Sequence, residues 1–487
     1  MRFLPNGLNI PDELLEERDK GNVVFLCGAG VSYPAGMPDF LELAKYVVEE
    51  LGTPQDAPLR KMLADNEDVP EGARPSLDQI FNLLQQEYTA GEIDYLIAKR
   101  LRTKPRTCVS THETILRLSK GANGKPQIVT TNFDLLFERA AGRTLKTYVP
   151  PVLPDLANEQ PLNGLVYLHG RIDYRIKRGE GRQGFVVSSS DFGRAYLAEG
   201  WATRFIRDLL DQYTVIMLGY SANDPPVRYL LQGLHTQRRG SRARLFAFDR
   251  GTEEEVLPRW RDSGVQALPY SGIGDDHSAL WDTLSEWVER ADDPLAWRQR
   301  IVDLARRGPR NLEPYERGQV ASLVRTDVGA KLFADADPSP PGEWLCVFDR
   351  NFRYGEPETP LDDSQPAFDP LIEYGLDDDP PRPPETRDWQ QTNLPGDDFL
   401  SLSPTDRHTN YFTRLATGGR RWADPLPSRL SHLAQWIVKV AHDPVTPWWA
   451  AKYSNLHPRL LDKIEWRVER AGDELPSLAQ LTWRLLI

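Results

Sequence analysis

Three stretches of this chain place polar side chains just after short apolar runs. Asn132 and Asp134 follow one run, His169 follows a second, and Ser32 follows a third through residues 28–31. Short apolar runs of this kind are typical of buried strands, and open α/β sheets bind ligands at the carboxyl ends of their strands. We therefore expect these side chains to lie at one edge of a sheet and to form one site.

Each of these residues also has a purely structural interpretation. Asn132 and Asp134 are types that favour turns, and Asp134 is a suitable N-cap for a helix over residues 135–141. His169 is equally compatible with a hydrogen-bonded histidine in the core. No single one of these three residues distinguishes a structural role from a role in ligand binding or catalysis.

The glycine stretch Gly28-Ala29-Gly30 lies between a predicted strand and a predicted helix. Small residues there let the backbone approach a diphosphate, and amide groups near a helix N-terminus attract anions. The third glycine of the usual dinucleotide pattern is replaced by Tyr33. Alone the stretch is a weak signal, and a tight structural turn is the alternative.

Composition restricts the class of protein. The 487 residues suffice for two or three domains, and 40% hydrophobic with 27% charged residues is ordinary globular composition. The net charge of −12 argues against a broad nucleic-acid-binding face. The three cysteines form no C-x-x-C pair, and neither a signal peptide nor a membrane-spanning run is evident. We expect a cytoplasmic protein.

Apolar runs and helical periodicities alternate over residues 1–293. This alternation predicts an α/β domain with a doubly wound, Rossmann-like, mostly parallel sheet. Strands are predicted at residues 22–27, 128–131, 165–168, 185–187, 214–218 and 245–248. Helices are predicted at residues 39–51, 76–88, 112–119, 135–141, 201–212, 227–235 and 277–290.

Residues 294–487 are predicted to form a mainly helical second region. Proline-rich and acidic stretches within residues 335–397 predict loops, and the run Asp377-Asp378-Asp379 is expected to be solvated. Residues 344–348 are expected to form a short strand, and Ser428 to cap a helix. The apolar end of the chain fits a terminal helix or a fragment of a larger sensor or assembly region.

The chain resembles the sirtuin (SIR2) family in four motifs that occur in the family's order. The string from Gly28 to Phe40 (G-A-G-V-S-Y-P-A-G-M-P-D-F) resembles the first motif, and T-T-N-F-D at residues 130–134 resembles T-Q-N-hydrophobic-D. His169-Gly170 resembles the catalytic H-G, and Gly219-Tyr220-Ser221 a later cofactor-binding turn. Together the four motifs are specific.

The chain also departs from the pattern of the protein deacylases in that family. No cysteine lies between Cys108 and Cys346, so the four-cysteine zinc module is missing; Leu41 replaces an arginine and Thr131 a glutamine. What remains resembles the zinc-less, defence-associated bacterial sirtuins. That resemblance implies NAD+ as substrate without a metal, NAD+ hydrolysis against phage, a homo-oligomer, and a phage-derived trigger or partner protein.

The resemblance also implies roles for individual residues. Asn132 would bind a ribose hydroxyl or the attacking water, and His169 would accept a proton. Asp134 would hold the nicotinamide carboxamide or lie close to the developing positive charge. The remaining expected NAD+-binding residues are Gly28, Ala29, Gly30 and Ser32 at the diphosphate, Asp39 and Phe40 at the nicotinamide, Thr131, and Gly219, Ser221, Asn223 and Asp249 on the adenosine side.

Other functions remain open at this point. These are deacylation or ADP-ribosyl transfer, a regulatory module that senses NAD+ or ADP-ribose without turnover, and a subunit that needs a partner protein. The nucleophile elbow of α/β-hydrolases is a poor match for Gly219-Tyr220-Ser221-Ala222-Asn223, because that motif needs glycine where Asn223 stands.

Overall fold

The chain divides into two compact units in a computed structural model. One unit is Asn6–Asp292, and the other combines Met1–Pro5 with Asp293–Ile487. The structure describes residues 1–68, 77–142, 145–156, 161–175, 177–178, 184–220, 245–261, 264–272, 277–357, 368–382, 415, 426–452, 456–471 and 476–486.

The first unit is built on a parallel sheet with the order β3-β4-β2-β1-β5-β6-β7. Every neighbouring pair in this sheet is parallel. The strand order changes direction at β1, which lies between β2 and β5, and this confirms the predicted doubly wound α/β fold. The strands are β1 Val23–Cys27, β2 Gln127–Thr130, β3 Thr147–Tyr148, β4 Gly164–Tyr167, β5 Thr214–Leu218, β6 Leu245–Arg250 and β7 Gln266–Tyr270.

The central strands are buried along their whole length because helices cover both faces of the sheet. All residues of β1, β2, β4 and β5 are buried. Val24 and Leu26 pack in a cluster with Phe205, while Phe25 points the other way, toward Trp287. Strands buried on both faces read as continuous apolar runs, which is why the sequence located them.

Helices occupy most of the remaining described part of this unit. They are α1 Asp12–Asp19, α2 Phe40–Glu50, α3 Pro58–Asp68, α4 Leu77–Glu87, α5 Ala90–Arg100, α6 Ser110–Leu118, α7 Leu136–Ala141, α8 Ser189–Phe192, α9 Trp201–Gln212, α10 Glu253–Trp260 and α11 Ser278–Asp292. Short 3₁₀ turns cover Ala29–Val31 and Tyr33–Ala35, and a π-helical turn covers Gly193–Ala198.

The structure differs from the sequence prediction in several elements. The strand predicted at residues 185–187 is wrong: this segment lies outside the sheet, and the Val186 N–H bonds the carbonyl of His169 at 2.9 Å. Strands β3 and β7 were not predicted, since β3 has two residues and β7 contains Pro269. The helix predicted at residues 227–235 lies outside the described residues.

The second unit is mainly helical in its described part. Its helices are α12 Pro294–Arg306, α13 Pro314–Arg325, α14 Asp327–Asp335, α15 Trp344–Phe348, α16 Arg350–Arg353, α17 Pro370–Tyr374, α18 Ser428–Lys439, α19 Val445–Lys452, α20 Pro458–Ala471 and α21 Ser477–Leu486, with a 3₁₀ turn at Pro309–Asn311. Among the described residues of the whole chain, no helix is long and apolar enough to cross a membrane.

Two predictions for the second unit are wrong in detail. The expected strand at residues 344–348 is helix α15, whose five residues are all buried. A short run of apolar residues does not distinguish a buried strand from a buried helix, because periodicity is lost when every side faces the core. Ser428 is the first residue of α18 rather than its N-cap, which is Pro427.

The acidic run at residues 377–379 is not simply solvated. Asp379 accepts two hydrogen bonds of 2.8 Å from the guanidinium of Arg353, and both side chains are buried. Asp377 pairs with Arg2 at 2.8 Å. Asp379 therefore neutralises a buried arginine, whereas Asp377 pairs with an arginine that is partly exposed.

Candidate functional site

The loop after β1 packs directly against the loop after β5, at the point where the strand order changes direction. Gly28 N–H donates to the carbonyl of Leu218 at 2.9 Å, and Gly30 N–H donates to that of Gly219 at 3.0 Å. A Cβ on Gly30 would lie 2.8 Å from the Cα of Gly219. The glycines thus permit close contact between two backbone segments, and the amides of Gly28 and Gly30 already have internal acceptors.

Hydrogen bonds join the end of β2 to the end of β1. Thr130 Oγ1 donates to the carbonyl of Cys27 at 3.0 Å and accepts from Asn132 N–H at 3.1 Å. Thr131 N–H bonds the same carbonyl at 3.1 Å. These bonds hold the backbone of Asn132 next to the glycine loop.

Ser32 is the centre of a buried hydrogen-bond network. Its side-chain oxygen donates to Asp134 Oδ2 at 2.8 Å and accepts from Asn132 Nδ2 at 3.0 Å. His112 Nε2 lies 3.3 Å from the same oxygen. Ser32 is only 1% exposed, so this network belongs to the interior wall of the site rather than to its open surface.

His112 is a site residue that the sequence analysis did not single out. It lies on α6 and is fully buried, with Nδ1 3.1 Å from the hydroxyl of Thr111. Burial lowers the pKa of His112 to about 4, so the ring is neutral at pH 7. The sequence does contain an indication of its burial, because His112 shares one face of the helix with the apolar residues Ile115 and Leu118.

The neutral ring of His112 restricts the direction of each hydrogen bond. The Ser32 hydroxyl has one proton, and the 2.8 Å bond to Asp134 uses it. His112 Nε2 must then donate to Ser32, which leaves Nδ1 without a hydrogen. The Thr111 hydroxyl, 3.1 Å from Nδ1, also donates to the carbonyl of Val31 at 3.3 Å. We therefore assign the Nε2–H tautomer to His112.

Asn132 directs both of its carboxamide N–H groups into the protein. Nδ2 donates to the carbonyl of Gly28 at 3.0 Å as well as to Ser32. The carboxamide oxygen has no hydrogen-bonding partner within the part of the chain that the structure describes. Asn132 is partly exposed, so this oxygen is suited to accept from a hydroxyl group or a water molecule.

Asp134 is engaged on both oxygens. Besides the bond from Ser32, its Oδ1 accepts from the Leu136 N–H at 3.0 Å, at the start of α7. Burial raises the pKa of Asp134, and the bonds from Leu136 and Ser32 oppose that rise. The N-cap of α7 is Leu135 rather than Asp134. Asp134 instead binds the first amide of the helix and places a buried carboxylate within the network.

His169 lies at the end of β4, beside the end of β2. The bond of 2.8 Å from Leu168 N–H to the carbonyl of Thr130 puts His169 and Asn132 just beyond the same position of the sheet. His169 is 4% exposed, and burial lowers its pKa to about 3. Its Nε2 lies 2.8 Å from the hydroxyl of Tyr196. No hydrogen bond among the described residues joins His169 to Ser32.

The other predicted site residues have structural partners. Asp39 caps α2, accepting from Glu42 N–H at 2.7 Å, and Phe40 packs against Phe81 at 5.2 Å between ring centroids. Asp249 accepts from the indole of Trp260 at 2.8 Å.

Thr131 accepts from the hydroxyl of Tyr220 at 3.0 Å. Gly219 contacts the glycine loop, in which Ala29 is exposed. Ser221 and Asn223 lie outside the described residues. Within the described ranges, no group of three or more His, Cys, Asp or Glu side chains could hold a metal ion.

Comparisons with known proteins show what this chain is similar to. Residues 126–268 match a family model described as a SIR2-like domain. The uncharacterized protein y4cA of Sinorhizobium fredii is 30% identical over 334 residues, which are 63% of this chain and 26% of that protein. Defense-associated sirtuin 2 of Bacillus subtilis is 23% identical over 291 residues, which are 57% of this chain and 27% of that protein.

A solved structure, the crystal structure of a Sir2 homologue–NAD complex, is more distantly similar. It is 18% identical with a TM-score of 0.32, covering 60% of this chain and 98% of that one. The chain spans about a quarter of the length of the curated relatives that it matches. Residues 126–268 therefore belong to a SIR2-like domain, and the longer stretch around them is similar in sequence to a defence-associated sirtuin.

Proposed function

We propose that this chain hydrolyses NAD+ to nicotinamide and ADP-ribose, and that it acts in bacterial anti-phage defence by depleting NAD+. The orientation of Asn132 carries the proposal: its N–H groups are bound within the protein, which leaves its oxygen as an acceptor beside the glycine loop. The sequence similarity to a defence-associated sirtuin supports the defence role.

The chemistry requires water to attack the anomeric carbon of the nicotinamide ribose. The C–N bond breaks, its electron pair leaves with neutral nicotinamide, and the oxygen of water forms the new bond. A strong general acid is unnecessary because the leaving group is neutral. Positioning and preorganised electrostatics therefore supply most of the acceleration.

Three side chains divide this task in our proposal. The oxygen of Asn132 accepts a hydrogen bond from the attacking water or a ribose hydroxyl. His169 accepts the proton that water or a ribose hydroxyl gives up. Burial lowers its pKa to about 3, which keeps the ring neutral at pH 7 and also makes it a weaker base than an exposed histidine. Asp134 provides negative charge near the developing positive charge of the ribose. Ser32 and His112 hold Asn132 and Asp134 in place.

The remaining parts of the proposal follow from the sequence resemblance. Residues 1–293 would be the catalytic domain, working on NAD+ in the cytoplasm without a metal. Residues 294–487 would belong to a sensing or assembly region, with a homo-oligomer and a phage-derived trigger or partner protein. The adenosine half of NAD+ would lie toward Gly219, Ser221, Asn223 and Asp249.

The test measures NAD+ in cells that express the wild type, Asn132→Ala or His169→Ala, with and without phage challenge. We expect NAD+ to fall on challenge only in the wild type. The matched controls are Asn22→Ala and His277→Ala, which remove the same side chains from other places in the same unit. Wild-type NAD+ loss in both site variants would contradict the site.

Purified protein separates the alternative functions. Release of nicotinamide from NAD+ alone supports hydrolysis, whereas release that requires an acyl-peptide supports deacylation. Calorimetric binding of NAD+ or ADP-ribose without turnover, even after phage lysate is added as a trigger, would support a sensing module instead.

A further inference from the structure

The imidazole of His169 is held by one side chain from a π-helical turn. Tyr196, on the turn Gly193–Ala198, places its hydroxyl 2.8 Å from His169 Nε2, and the two rings meet edge to face. Phe192 also meets the imidazole edge to face, with ring centroids 5.2 Å apart. Tyr196 is 8% exposed, so the hydrogen bond lies in an apolar, nearly dry environment.

The segment that carries Tyr196 is fixed at both ends. At its start, Ser188 and Asp191 form a reciprocal cap on α8, and Gln85 of α4 donates to Asp191 at 3.1 Å. At its end, the hydroxyl of Thr203 on α9 donates to the carbonyl of Tyr196 at 2.7 Å. Single π-helical turns are rare and occur frequently at functional sites. The position of the Tyr196 hydroxyl is therefore determined by the surrounding framework.

The hydrogen bond to Tyr196 restricts what the imidazole can do. Because Nε2 is occupied, Nδ1 is the ring nitrogen left for a substrate or water. A neutral imidazole carries one N–H, and which nitrogen bears it depends on the hydrogen bond that the other makes. Nδ1 can accept a proton only if Nε2 carries the hydrogen and donates it to Tyr196.

We propose that Tyr196 is a positioning residue that holds His169 as the Nε2–H tautomer and keeps Nδ1 as the proton acceptor. This inference rests on the proposed function, because the proton in question comes from the attacking water or a ribose hydroxyl. When Nδ1 takes that proton, the Nε2–H remains bonded to the phenol oxygen, which stabilises the positive charge. The proton leaves to bulk water after the products depart.

Kinetics test the proposal through Tyr196→Phe, which removes one oxygen. We expect kcat to fall about tenfold to a hundredfold, with little change in the KM for NAD+, because the base is misoriented while binding persists. The control is Tyr213→Phe, which removes another buried hydroxyl, bonded to the Leu162 N–H at 2.9 Å, and should leave kcat unchanged.

Nitrogen NMR of the wild type tests the same assignment without a variant. Long-range ¹H–¹⁵N spectra, with the His169 signals assigned by their loss in His169→Asn, should show a protonated Nε2 and a bare Nδ1. Tyr196→Phe should give a mixture of tautomers. This measurement remains decisive if the protein has no NADase activity, so failure of the proposed function and failure of this inference are distinguishable.

Three results would overturn the inference. The first is a wild-type spectrum with the proton on Nδ1. The second is a Tyr196→Phe variant with unchanged or increased kcat; an increase would mean that the phenol blocks His169. The third is a loss of kcat in the control Tyr213→Phe as large as that in Tyr196→Phe, which would mean that removal of a buried hydroxyl acts through general stability.

Discussion

Ser32 shows how a single side chain connects the site. The family resemblance predicts that Ser32 lies at the diphosphate, and its buried hydroxyl contacts Asn132, Asp134 and His112. A buried hydroxyl with several partners organises those partners more directly than it binds a ligand. The chemistry of the site therefore depends on a residue that need not touch NAD+.

Removal of this hydroxyl should affect both stability and activity. Ser32→Ala leaves Asp134 Oδ2 without its donor, and an unsatisfied buried group costs about 1 to 3 kcal/mol. We expect the free energy of unfolding to fall by that amount and NAD+ turnover to be lost, as measured by urea titration and nicotinamide release. Ser119→Ala, which loses one bond of 3.3 Å to the Leu116 carbonyl, is the control and should retain turnover.

The two buried histidines predict how stability depends on pH. Burial lowers the pKa of His169 to about 3 and that of His112 to about 4, below the unfolded value of 6.5. Below pH 6.5 the unfolded chain binds protons that the folded chain does not, so stability falls as the pH falls. At pH 5 each histidine should cost about 2 kcal/mol relative to pH 7.

Urea titrations of the wild type, His112→Gln and His169→Asn at pH 7 and pH 5 check this expectation. Each variant lacks one titrating group, so its loss of stability between the two pH values should be smaller than that of the wild type. Equal losses in all three proteins would show that these histidines titrate normally.

At the scale of elements, the contact between the loops after β1 and β5 determines the shape of the site. Gly219 has φ of +68°, and a Cβ there would lie 2.5 Å from the backbone nitrogen of Val31. Strand order brings these loops together, because β1 and β5 are neighbours at the position where the sheet changes direction. The spacing of the glycine motifs along the chain does not reveal that contact.

Substitution of Gly219 should therefore strongly destabilise the first unit. We expect Gly219→Ala to destabilise the domain by about 3 kcal/mol, from the left-handed backbone and the overlap together. Gly124→Ala is the control, since Gly124 has φ of +71° and no atom within 4 Å of its Cβ position; it should cost only about 1 kcal/mol. Equal shifts in the urea midpoints of the two variants would show that steric overlap at position 219 does not affect stability.

At the scale of the whole molecule, each unit has its own buried polar framework. The second unit contains the pair formed by Arg353 and Asp379, with side chains 2% and 8% exposed. Arg353 also donates to the carbonyl of Val347. Asp379, in a run whose sequence predicts a solvated loop, therefore neutralises a buried arginine.

Removal of the carboxylate from the buried pair of Arg353 and Asp379 should lower the stability of the second unit. Asp379→Ala leaves a buried guanidinium without its carboxylate, and such a change costs about 3 to 5 kcal/mol. Asp303→Ala removes the partner of Arg306 at the surface, where the carboxylate is 57% exposed, and should cost less than about 1 kcal/mol. A small effect of Asp379→Ala in thermal unfolding would contradict this account.

The sequence alone determined the fold class of the first unit and the strands that precede Ser32, Asn132 and His169. Central parallel strands are apolar on both faces, so their runs are visible without knowledge of their neighbours. Polar residues just beyond those runs indicated the edge of the sheet where the site lies. Order along the chain then connected four weak motifs to one family.

Only the tertiary structure decided which side chains contact one another. The sequence did not reveal that His112 bonds Ser32, 80 positions away, that Tyr196 holds His169, or that Asp379 neutralises Arg353. Hydrogen bonds of this kind depend on which buried surfaces meet, and local periodicity carries no information about that. Asn132 is the clearest example, because the partners that orient its carboxamide lie about 100 residues away in the chain.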